Sequence, residues 1–209
     1  MLTASSVLPH SRKGRRYERK ALQIRQFAGV QVTERLDPYL LAPRVRLRVV
    51  SLDEIKGLSP LAMAQLIGNG ARNWSGGASR PLPDGSRLVI LNPTHGAERR
   101  VATLMEEICH VFLGHAPTQL AVSVETGVSF RDYNQADEEE AYAVGAAALV
   151  PFCGLQKFIP EYVSVDKLAK RYGVSRYLVE YRLKVTGLWG IAKAAGLASD
   201  NALPTPVFS

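Results

Sequence analysis

The chain has 209 residues, of which 46% are hydrophobic and 22% charged, a composition that excludes disordered and collagen-like classes and suits one full domain with a small appendage. The formal charge of +7 is unevenly placed: residues 1–20 carry Arg12, Lys13, Arg15, Arg16, Arg19 and Lys20 against Glu18, whereas the other 189 residues hold 20 basic and 18 acidic side chains. The body is therefore nearly neutral, and the high overall charge does not by itself mark a nucleic-acid protein.

In chain order, residues 1–20 read as a basic flexible tail, either a solvated arm or a contact for nucleic acid or anionic surfaces. The basic cluster follows a weak apolar start and precedes no apolar run, which is not the layout of an export signal. Residues 21–40 look helical and end near Asp37-Pro38. Val45 to Val49 alternates apolar and basic residues, the pattern of a half-buried strand. Leu61 to Ile67 suits a short helix after Pro60, stopped by Gly68 to Gly70. Trp74 to Ala78 and Arg87 to Leu91 form a hairpin around the turn Pro83-Asp84-Gly85.

From Ala97 to Leu113 the spacing predicts one long helix stopped by Gly114. It is apolar nearly all round (Val101, Leu104, Met105, Ile108, Cys109, Val111, Phe112, Leu113), so it is expected to be buried. Gln119 to Val124 and Val128 to Tyr133 predict a second hairpin, followed by a helix over Glu138 to Val150 closed by Pro151. The apolar stretch Ala141 to Leu155 is broken by Gly145, Pro151 and Gly154 and reads as a buried core helix, not a membrane span. Beyond Pro160 the pattern is helical, and 196–209 reads as a loose tail. The expected division is thus 1–20 tail, 21–160 main domain, 161–195 helical segment and 196–209 tail. Cys109 and Cys153 are too few for a disulfide framework and suit reduced thiols, which points to the cytoplasm.

The chemistry concentrates in Glu106-Glu107-Ile108-Cys109-His110. Residues at i and i+4 share a helix face, so Glu106 and His110 are neighbours. On a helix otherwise apolar all round, such groups are costly unless paired, protonated or bound to a cation. Glu138 opens the next long helix, where Ala141, Gly145 and Ala148 are small enough for close approach. Two carboxylates and an imidazole around one divalent metal would leave an open position for water, as catalytic sites do. Glu107 points about 100° from Glu106 and about 60° from His110, the place of the general base in H-E-x-x-H helices. Here the first histidine is a glutamate.

These residues resemble the ImmA/IrrE family of metallo-endopeptidases. The likeness runs through Leu91-Asn92-Pro93-Thr94-His95, through Thr103-Leu104-Met105-Glu106-Glu107-Ile108-Cys109-His110 to His115, through Glu138-Glu139-Glu140-Ala141 to Leu149-Val150-Pro151, and through Leu168-Ala169 to Leu183. The resemblance implies an α+β fold: a minimal zincin-like core, with a small twisted sheet packed on the motif helices, and a C-terminal helix-turn-helix-like segment. It implies zinc-dependent cleavage of a protein partner, in several relatives an Xre-type repressor. His110 and Glu138 map onto metal ligands, Glu107 onto the general base, and Glu106 onto the family's first histidine ligand. A Glu/His/Glu set is richer in oxygen than a two-histidine site, which opens the site to manganese as well as zinc. The same substitution fits an alternative, a metal-free regulatory or DNA/protein-binding module of the same fold. His115 would substitute as a ligand only if the helix ends before Gly114, and His95 starts too far upstream.

Asp166 to Tyr172, the Gly173-Val174 turn and Ser175 to Leu183 make a helix-turn-helix pattern. As a DNA reader its second helix would expose Arg176, Tyr177, Tyr181 and Arg182. The other reading is a helical cap packed on the core or a surface for a protein partner, and the body's small net charge favours that one.

Overall fold

In the computed structural model, which describes residues 8–55, 59–68, 70–115, 120–122, 129–131, 134–161 and 164–197, the first helix, α1 (Arg12–Ala28), begins inside the stretch expected to be a loose tail. Ser11 caps it by accepting the Gly14 N–H at 3.0 Å. Tyr17, Ala21 and Ile24 recur at helical spacing and are buried, so this basic segment owns an apolar face as well as a charged one. Its cations have partners: Lys13 pairs with Glu139, and Arg16 and Lys20 each lie 2.8 Å from Glu140. Of the expected tail, residues 1–7 lie outside the described residues.

Gly29, at φ 74°, ends α1, well short of the expected stop at Asp37-Pro38. That dipeptide starts a helix instead. Asp37 accepts the Tyr39 N–H at 2.9 Å and Pro38 opens α2 (Pro38–Leu41), since an aspartate N-cap followed by proline at the first helical position is a favourable helix start.

The sheet is mixed. Strand β1 (Leu47–Val50) runs parallel to β3 (Arg87–Leu91), and β2 (Gly76–Ala78) pairs antiparallel on the other side of β3, giving the order β1-β3-β2. Leu47 stands beside Arg87 and Gly76 beside Leu91. In the turn before β3, Gly85 has φ 78° and Asp84 accepts from the Ser86 N–H and hydroxyl at 2.9 and 2.6 Å. Helix α3 (Pro60–Ile67) lies between β1 and β2 in the chain. Strands β4 (Leu120–Val122) and β5 (Ser129–Arg131) form the second expected hairpin. The flanking residues 119, 123–128 and 132–133, also assigned to it, lie outside the described residues.

Helices α4 (Ala97–Leu113) and α5 (Gln135–Leu149) form the centre of the molecule. Leu104, Met105, Ile108, Cys109, Ala147 and Leu149 bury 99–100% of their surface there, each large side chain contributing about 1.5–3 kcal/mol by leaving water. Gly145 faces α4 at close range: a Cβ added to it would sit 3.4 Å from Met105 Cγ and 3.5 Å from Cys109 Sγ. Pro151 ends α5 and begins α6 (Phe152–Phe158) as its N-cap. The stretch Gln135–Phe158 is long and apolar enough to cross a membrane, and 78% of its apolar window is buried inside the protein, as a core helix would be.

The C-terminal segment comprises α7 (Val165–Tyr172), α8 (Arg176–Val185) and α9 (Trp189–Ala194). Ser164 and Ser175 cap the first two, and Gly173 makes the intervening turn at φ 67°. Of the four residues expected at a DNA groove, Tyr181 and Arg182 are buried, and Arg176 is engaged by Glu180 at 2.7 Å and Asp166 at 3.3 Å. The helix turns Tyr181 and Arg182 inward because its apolar face, Leu178, Val179 and Leu183, docks on the core. Residues 198–209, the rest of the expected C-terminal tail, lie outside the described residues.

Candidate metal centre

Two helix ends position the site. Helix α4 carries Glu106, Glu107 and His110 in its last two turns and stops at Gly114, whose φ of 72° makes a left-handed cap. Helix α5 starts at Asn134, whose side chain accepts from the Ala136 and Asp137 N–H groups at 3.1 and 3.4 Å. This cap lies four residues ahead of Glu138, so the helix starts earlier than its acidic run suggests and Glu138 sits in its first turn.

The structure brings Glu106, His110 and Glu138 together: one ligating atom of each lies within 4.8 Å of the others. His110 Nε2 is 3.4 Å from Glu138 Oε2, and both side chains are about a quarter exposed, so the seam opens to solvent on one side. Glu107 is half-buried beside the trio, near enough that its charge acts on both Glu106 and His110.

The electrostatics are those of crowded acids. Burial, reinforced by Glu107 and Glu138, pushes the Glu106 carboxyl up to about 7, against the opposing pull of His110. For His110, burial acts downward, but the hydrogen bond and charge of Glu138, with Glu107 and Glu106, outweigh it and raise the imidazole above its ordinary value. Burial likewise drives the Cys109 thiol far up, so it is a packing residue and not a nucleophile. An oxygen-rich trio with one imidazole, in reach of one centre and short of positive charge, fits a divalent cation.

Neither His95 nor His115 belongs to this group of converging atoms. Burial, aided by the charge of Arg99, lowers the His95 pKa. His115 does turn inward: Gly114 ends the helix, the His115 N–H bonds the His110 carbonyl at 2.9 Å, and the His115 ring comes to rest against the back of His110, with 3.1 Å between their Nδ1 atoms. Its far side meets Glu140, and Glu140 meets Lys20 and Arg16 of α1. This line of groups is hidden from a reading of the sequence because Arg12 to Lys20, expected as a tail, form the first half of α1. The signal available was the spacing of Lys20 and Arg16 on the same helix as Tyr17, Ala21 and Ile24.

A small mixed sheet with a Glu-Glu-x-x-His helix packed on an acidic helix start is a metallopeptidase-like α+β architecture. Residues 70–184, more than half of the chain, match the IrrE N-terminal-like domain of the M78 peptidases, and the chain belongs to that family. Among solved structures it is similar to a Mycobacterium tuberculosis transcriptional regulator, with 16% identity and a TM-score of 0.47 over 81% of this chain. The chain spans 46% of that protein's length. No curated protein matches it in sequence.

Proposed function

We propose that the chain is a cytoplasmic metal-dependent endopeptidase that acts on a protein partner, a transcriptional repressor of the Xre type being the partner that the family resemblance suggests. The observation that carries this reading is the convergence of Glu106, His110 and Glu138 within 4.8 Å in the seam between α4 and α5. These three would hold the cation, zinc by the family pattern or manganese by the oxygen-rich donor set. When bound, such an ion supplies Lewis acidity that makes water a nucleophile near neutral pH and polarises a peptide carbonyl. Glu107 sits beside the trio without belonging to it, and its carboxylate takes the proton of the attacking water and passes it to the departing amine. Tight packing of Gly145 against Met105 and Cys109 holds the two helices at the spacing this needs.

A second reading rests on Glu106 itself. With its carboxyl near 7, the trio can balance its charge with a proton in place of a cation, and the protein would then be a regulatory module on a peptidase fold. Metal analysis separates the two. About one equivalent of metal in protein purified without chelator, lost in His110→Ala and Glu138→Ala, supports the enzyme, whereas no metal at micromolar zinc supports the module. Glu107→Gln should keep the metal and abolish cleavage of a co-purified partner, and undiminished cleavage would remove Glu107 from its role.

A further inference from the structure

His115 stands outside the convergent trio, yet its side chain is only 6% exposed. Its ring lies edge-on to His110, with centroids 5.1 Å apart and planes at 73°, and the two Nδ1 atoms are 3.1 Å apart. On the other side, His115 Nε2 faces Glu140 Oε2 at 3.4 Å and Asp137 Oδ1 at 3.9 Å. The second oxygen of Glu140 accepts from Arg16 and Lys20, each at 2.8 Å.

Proton counting assigns the donors. Two ring nitrogens at 3.1 Å are favourable only if one carries the proton and the other does not. When a cation is bound, His110 Nε2, which faces Glu138, must be bare, so the proton of neutral His110 then lies on Nδ1 and His115 Nδ1 accepts it. The proton of neutral His115 then lies on Nε2 and is given to Glu140, whose charge two cations of α1 balance. The reverse direction would place a proton on His110 Nε2, the atom that has to be free once a cation is bound.

We propose that His115, anchored by Glu140, is a positioning residue that fixes the tautomer and ring orientation of His110, so that the Nε2 lone pair points at the Glu106–Glu138 seam. The inference rests on the metal-centre reading above and adds to it a support reaching from α1 through α5 to the end of α4. Outer partners of ligating histidines are commonly carboxylates or carbonyls, and their loss weakens metal binding about 10–100-fold.

Zinc affinity of the full chain, measured by competition with a chromogenic chelator, tests this. His115→Phe removes the acceptor and should weaken zinc about 10–100-fold, while His115→Gln, whose amide oxygen can accept the same proton, should stay within about threefold of wild type. Nitrogen-15 NMR of the zinc-loaded wild type should find His110 protonated at Nδ1 and His115 at Nε2. Equal affinity in wild type and His115→Phe overturns the proposal, as does a proton on His115 Nδ1. Should His115→Phe fail to fold, the Gln variant and the tautomer decide. If wild type itself takes up no zinc, the metal-centre reading fails and this inference with it; if wild type binds and His115→Phe binds alike, only the positioning role is lost.

Discussion

Glu18 and Glu106 are both carboxylates on core helices, the first fully buried and the second partly so, and they are treated in opposite ways. Glu18, on α1, is fully buried and saturated: Oε1 accepts the Phe152 N–H at 2.5 Å, Oε2 accepts Arg182 Nη2 at 2.5 Å, and Arg182 Nε donates to the Val150 carbonyl at 2.9 Å. The pair thereby ties α1 and α8 to the junction of α5 and α6. Among the described residues, the charged groups that act on Glu106 are two other carboxylates and one imidazole. Where the fold uses a buried charge for construction, it supplies the counter-charge in protein. In the seam the acids crowd one another, and the cost shows in the Glu106 carboxyl, pushed up to about 7.

The largest expected effect breaks the closed pair. Arg182→Met strands Glu18 and should cost about 3–5 kcal/mol in a denaturant titration, whereas adding Glu18→Leu should recover part of that loss by removing the stranded charge. If the double variant is no more stable than the single one, Glu18 and Arg182 are not coupled.

The open cluster should respond to pH. The unfolded chain releases the Glu106 proton near 4.5 and the folded chain near 7, so between those values the native state holds the extra proton. In chelator, the Glu106 contribution therefore favours folding below about 4.5 and is lost as pH rises to about 7, a difference of roughly 2–3 kcal/mol. Glu106→Gln should flatten that slope relative to wild type. Saturating zinc should oppose it, because the cation favours the ionised form. Parallel slopes for wild type and Glu106→Gln would show that Glu106 is not the strained acid.

The smallest effect lies on the rim. Lys13 and Glu139 are 58% and 44% exposed, and Lys13→Ala should change stability by less than about 1 kcal/mol, in contrast to the neighbouring buried pair. A larger loss would mean that the charged face of α1 is a structural seam in its own right.

The parts legible in the sequence were those with local rules. Helix α4 showed itself by its apolar circumference and the Gly114 stop, Glu106 and His110 by i, i+4 spacing, and β2 and β3 by the turn at Pro83 to Gly85. The close pass of α5 over α4 was visible in Gly145. What escaped depended on partners distant in sequence. The basic start of α1 looks solvated until Glu139 and Glu140, some 120 residues on, are seen to meet it. Asp37-Pro38 and Pro151 look like helix ends in the sequence although each also satisfies the rule for a helix beginning, and only tertiary packing chooses between the two. His115 folded back because Gly114 takes a left-handed conformation, and its partner Glu140 could not be named without the contact between α4 and α5.

The position of α1 bears on where this protein can be cut. The matched family segment, 70–184, retains Glu106, His110 and Glu138, but a fragment trimmed to it would lose Glu18, Arg16 and Lys20 together. Arg182 would be left buried beside a missing carboxylate, the side of α5 against which α1 packs would be laid bare, and Glu140 would lose both of its cations. An expression boundary drawn from family similarity would thus preserve the chemistry on paper while removing the brace beneath it, and a workable truncation has to start no later than Ser11.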